Sequence, residues 1–93
     1  MASYIHSTWK NAPPDSPVEF FSELDAQRYE TRKIEIYANG RVGFASKSSS
    51  ALDTRLSIEP IPSVAEIRIQ PEFSVREIPK DEFEQKWKAV GAR

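Results

Sequence analysis

The sequence contains no cysteine, which removes disulfides, thiolate nucleophiles and thiolate metal sites together. It has one histidine, His6, and so lacks the imidazoles that most catalytic triads and metal centres draw on. Three glycines, Gly40, Gly43 and Gly91, are too few and too scattered to cradle a phosphate. No apolar run is long enough to span a bilayer. The opening Met1–Trp9 lacks the basic start and apolar stretch of a secretion signal, so a cytoplasmic address is the default expectation, with no membrane partner. An excess of one charge is missing too: 13 Lys+Arg stand against 14 Asp+Glu, a formal net charge of -1. Binding nucleic acid by bulk phosphate attraction normally needs a clear basic excess.

What is present is an ordinary globular composition, 39% hydrophobic and 11% aromatic, with a mean hydropathy of -0.57. Ninety-three residues make one domain, 1–93, because chains divide into separate cores only at larger sizes. The first half reads as strands. Tyr4–Lys10 alternates in residue type, and a segment with three prolines between Pro13 and Pro17 breaks the chain. Val18–Leu24 alternates again, with Phe20 and Ser22 on one side and Glu19, Phe21 and Glu23 on the other. Tyr29–Ala38 is the longest strand candidate and runs into Asn39-Gly40, a strong hairpin signal. Arg41–Ser46 is the return strand. A two-residue loop at Asn39-Gly40 sets Ile36 opposite Gly43, Glu35 opposite Phe44 and Ile34 opposite Ala45. One face then carries Ile34, Ile36, Gly43 and Ala45, and the other carries Glu35, Tyr37, Val42 and Phe44.

The second half is more broken. Residues 46–53 form a Ser-rich stretch expected to be a flexible loop. Leu56–Ile58 is a short strand candidate, stopped by Pro60 and Pro62. Ser63 followed by Glu66 spells a capping box opening a short helix that Pro71 ends. Phe73–Ile78 is extended or irregular. A last helix from Pro79 or Lys80 places Phe83, Trp87 and Val90 on one stripe, with acids early, lysines late and Gly91 as its stop. The fold expected is α+β: an antiparallel β-meander of about four strands, with the short helix and the C-terminal helix packed on one face.

Chemistry is sparse. His6 lacks an adjacent group to orient it, so packing or capping outweighs a catalytic role. No catalytic residue, metal set or cofactor site is legible. The serines at 48–50 have neither a nucleophile elbow nor a base near them. Between Asp15 and Tyr37 six acids face three bases, a local acidic field able to steer a basic partner. Glu19, Glu23 and Glu35 are candidate acidic contacts, with Phe21, Tyr37 and Phe44 as candidate aromatic anchors on an uncovered sheet face. Cover by the C-terminal segment or by a homodimer is the competing account of those aromatics. Arg28, Arg32, Lys33 and Arg41, interleaved with Tyr29 and Tyr37, allow an alternative reading as an RNA-associated sheet. Acids intrude among them, and cross-strand ion pairs explain the pattern as well.

The segments Phe21–Asp25, Arg28–Tyr37, Gly40–Ala45, Thr54–Ser57, Pro60–Ser63, Pro71–Phe73 and Ile78–Glu84, with Trp87, together resemble a small bacterial family known only as a domain of unknown function. The resemblance runs from Tyr4 to about Val90 and implies a stand-alone single domain with no catalytic residue to carry over. By analogy of context it implies an immunity protein: a non-enzymatic module that binds a toxin domain and occludes it.

Overall fold

Residues 2–47, 50–51 and 54–90 are described by the structure, a computed structural model. Six strands and two helices follow in the order β1 (Ser3–Trp9), β2 (Pro17–Leu24), β3 (Glu30–Tyr37), β4 (Val42–Ser46), β5 (Ser50–Ala51), α1 (Val64–Arg68), β6 (Phe73–Glu77) and α2 (Lys80–Ala89). The strands make one antiparallel sheet in the order β5-β4-β3-β2-β1-β6. The α+β class expected from the sequence is therefore correct, and the strand count of about four is too low. The meander continues into a two-residue β5, and Phe73–Glu77 returns across the molecule to pair with β1, Ser7 opposite Val75. Leu56–Ile58 is not a strand. Of the Ser-rich 46–53 stretch, Ser46 closes β4 and Ser50–Ala51 form β5. Residues 48, 49, 52 and 53, and the Gly91 helix stop, lie outside the described residues.

The β3–β4 hairpin differs from expectation by one residue. Gly40 donates its N–H to the Tyr37 carbonyl, and Tyr37 donates to the Arg41 carbonyl, each at 2.9 Å. The loop is thus three residues, Ala38–Gly40, with Gly40 at φ 88 supplying the left-handed step that rejoins the strands. Ile34 consequently pairs with Phe44, Glu35 with Gly43 and Ile36 with Val42. A one-residue slip moves every side chain across the sheet. Ile34, Ile36, Val42 and Phe44 therefore share one face, and Lys33, Glu35, Gly43 and Ala45 share the other.

The helices take opposite faces, not one. α2 lays Phe83 and Trp87 on Tyr4, Phe21 and Ile34, with Ile36, Val42, Phe44 and Val90 packed around them. On the other face Ile5, Leu24 and Val75 meet Ile61, Val64 and Ile67, from α1 and the segment before it. Both sheet faces are apolar, so each needs a cover. α1 begins as the capping box dictates: Ser63 accepts from the Glu66 N–H at 3.2 Å, and the Glu66 carboxylate reaches back to the Ser63 N–H at 3.3 Å. α2 begins at Pro79, with Asp81 and Glu82 in its first turn and Lys86 and Lys88 in its last.

Candidate functional site

The six residues singled out from the sequence do not form one surface. Phe21 is 3% exposed and lies beneath α2. Phe44 meets Trp87 edge to face, with ring centres 5.8 Å apart. The sheet face that carries these two rings is covered by the C-terminal helix. Tyr37 sits at the hairpin end with the Arg41 guanidinium 5.5 Å from its ring centre. Glu35 is on the opposite face, accepting from the Thr54 hydroxyl at 3.0 Å.

Glu23 is part of a clamp. Arg32 forks onto it through Nε (2.8 Å) and Nη2 (2.6 Å), and onto Glu84 of α2 through Nη1 (3.0 Å) and Nη2 (2.7 Å). The guanidinium also lies 4.9 Å from the Phe83 ring centre and 5.2 Å from that of Trp87. Bonding to Arg32 holds the Glu23 carboxyl down to about 2, with burial opposing and the Thr31 hydroxyl assisting. The same guanidinium lowers Glu84, and the two carboxylates raise Arg32 in turn. Burial raises the Tyr4 phenol, and its bond to Glu23 adds to that. This cluster fixes helix to sheet.

His6 has a partner that local sequence does not reveal. Thr8 pairs with Glu19 and His6 with Phe21 across β1 and β2. His6 Nε2 thereby comes 2.9 Å from Glu19 Oε1, with its ring stacked on Phe21 at 4.1 Å. Arg28, Arg32 and Lys33, proposed as one basic surface, diverge. Arg32 lies under α2, while Lys33 faces the other way and donates to the Arg55 carbonyl at 2.9 Å.

That other face holds the more open geometry. Residues 54–62 cross it as a strap pinned by side chains of β3 and the turn before it. Arg28 donates to the carbonyls of Ile61 (2.9 Å) and Pro62 (2.8 Å). The Glu30 carboxylate accepts from the Ser57 N–H at 2.7 Å, and Lys33 holds Arg55. Arg28 adopts φ 69, an unusual value for a residue with a side chain, and the Asp25 side chain organises this turn by accepting from the N–H groups of Gln27 and Tyr29. Between strap, α1 and sheet lies a cavity of about 400 Å³. Its walls include Ile5, Phe20, Ile61, Ile67 and Phe73, and Glu30 and Lys33 stand in its lining 3.3 Å apart. The register slips between Glu23 and Leu24, which brings Glu30 onto the Lys33 face. Beside the cavity two large apolar side chains point into solvent. Ile58, next to Ser57, is 92% exposed, and Ile69, next to Gln70, is 80% exposed.

A family model described as a domain of unknown function (DUF6881) matches residues 3–92. The chain belongs to that family. The DUF6881 match takes in all six strands and both helices, so the Arg32 clamp, the strap and the cavity all lie inside the family's own domain. No curated protein and no solved structure matches the chain.

Among the described residues no group of three or more His, Asp or Glu side chains is arranged to hold a metal ion. No helix among them is long and apolar enough to cross a membrane. The signal that sequence reasoning missed was the run Leu56–Ile69, where Ile58, Ile61, Ile67 and Ile69 recur among prolines and a capping box. Such spacing fits neither a strand nor a long helix; a strap and a short helix that turn Ile61 and Ile67 inward and leave Ile58 and Ile69 exposed satisfy it.

Proposed function

We propose that the chain is a non-enzymatic protein-binding module, an immunity-type inhibitor that docks on a toxin domain in the cytoplasm and occludes its active site. The observation that carries this reading is the exposure of Ile58 and Ile69 beside an apolar cavity. Single exposed hydrophobic residues are common. Two nearly bare isoleucines flanking one recess make a surface that gains from being covered. Glu59 follows Ile58, and Glu66 and Glu72 bracket Ile69 in sequence, with Arg55 and Arg68 as the opposing charges. The segment that carries the anchors thus has a small acidic excess, which suits a basic cleft.

The docking surface in this account is the strap and α1 instead of the β2–β4 strand face. Phe21 and Phe44 are committed to α2 on the opposite sheet face, and Glu23 is committed to Arg32. Glu19 near the start of β2 and Tyr37 at the end of β3, both half-buried, contribute at most peripheral contacts. The test is hydrogen exchange on the chain alone and in complex with its partner. The reading requires slowed exchange over residues 57–70; protection confined to α2 or to the β1–β2 hairpin defeats it.

A further inference from the structure

We infer that the cavity beneath the strap is a small-molecule site for a compact organic cation, an apolar body ending in an ammonium or other N–H donor. The inference does not depend on the protein-docking reading. The cavity, about 400 Å³, falls in the range that binds small ligands. Ile5, Phe20, Ile67 and Phe73 give it apolar walls, and of its polar lining Ser22, Lys33 and Ser57 gather around Glu30, with Ser7 and Gln70 the other polar side chains.

The chemistry around Glu30 is selective because the donors beside it are already spent. Ser22 Oγ donates to Glu30 Oε2 at 3.2 Å, and the Ser57 N–H donates to Oε1 at 2.7 Å. Lys33 Nζ is shared among Glu30 Oε1 (3.3 Å), Glu35 Oε2 (3.7 Å) and the Arg55 carbonyl (2.9 Å). Arg28, the remaining cation of the rim, is spent on the Ile61 and Pro62 carbonyls. A carboxylate offers about four acceptor directions, and three are used here, so Oε2 of Glu30 keeps acceptor capacity in the cavity wall. Two carboxylates lie against the single ammonium of Lys33. A ligand that enters apolar end first and presents a donor to Glu30 completes this arrangement; a ligand presenting a carboxylate meets like charge at short range in a partly dry site.

The experiment is an amide NMR titration with two probes of the same ring, 2-phenylethylammonium and 3-phenylpropionate. The inference predicts saturable shifts at Ser22, Glu30, Ser57 and Ile67 with the amine, and binding of the carboxylate weaker by about tenfold or more. Glu30→Gln should weaken the amine by about tenfold while leaving the spectrum folded. Ile67→Trp, which adds bulk to the cavity wall from α1, should abolish the shifts and guards against a Glu30 variant that fails to fold. No saturable shift with the amine, equal affinity for the two probes, or undiminished binding by Ile67→Trp overturns the inference. Each of these results leaves the protein-docking reading standing.

Discussion

Arg32 and Glu84 face each other across the sheet–helix boundary, 52 residues apart in sequence, joined by two parallel hydrogen bonds of 3.0 and 2.7 Å. The same guanidinium forks onto Glu23 from its other edge. One side chain thus ties β2, β3 and α2 together over the Phe83 and Trp87 rings. Breaking such a partly buried pair strands two carboxylates. Arg32→Ala is expected to cost about 3 kcal/mol in urea unfolding. Arg32→Lys keeps the charge but cannot fork to both partners, and should still lose about 1–2 kcal/mol. Wild-type stability in Arg32→Lys would mean that the fork geometry contributes nothing.

The clamp also sets an acid limit. Glu23 titrates at about 2 in the folded chain against an ordinary value of 4.5, and Glu84 is lowered as well. Because the folded-state values are depressed, their stabilisation is fully present above the ordinary value and is lost as pH falls toward 2. In a Trp9→Phe background, Trp87 fluorescence followed from pH 6 downward, over about four units, should report release of α2 in that window. Glu23→Gln should show a lower starting stability and a shallower slope.

Arg28 makes a separable prediction for the strap. Arg28→Ala removes two hydrogen bonds to strap carbonyls and should speed amide exchange across 54–62 while leaving the β1–β2 amides unchanged. Arg28→Gly removes the same guanidinium but relieves the positive φ, so it should be more stable than Arg28→Ala by about 0.5–1 kcal/mol. Equal stabilities would show that the turn stores no strain.

Core and exposed surface should separate cleanly. Phe83 is fully buried, and Phe83→Ala is expected to cost about 3–5 kcal/mol. Ile58→Asp and Ile69→Asp touch side chains already in water and should each change stability by less than about 0.5 kcal/mol. A large loss in either isoleucine variant would mean that these residues serve folding instead of recognition.

Much of the fold was legible, and the misses have identifiable causes. β1 to β4, the capping box at Ser63 and the Phe83–Trp87 stripe are local patterns, and the residues that form them lie within one turn or one strand. The hairpin loop was misread because a glycine at positive φ serves a two-residue turn and a three-residue bulged loop equally well. That single choice inverted the faces of β4. The pairing of β6 with β1 depends on a contact across 68 residues at its centre, Ser7 with Val75, which no local pattern encodes. The same is true of the Arg32–Glu84 bonds. His6 with Glu19 was within reach: the alternation of β1 and β2 in a meander sets Thr8 opposite Glu19, one diagonal from His6. The cavity was not, because it exists only where an irregular strap meets a register slip.

The most direct measurement is quantitative mass spectrometry of what co-purifies from the native host with three tagged baits: wild type, Glu19→Lys, and the double variant Ile58→Asp/Ile69→Asp. The account predicts a stoichiometric protein partner on wild type, retained by Glu19→Lys and lost from the folded double variant. A partner held equally by the double variant, or a wild-type bait that returns alone, contradicts it.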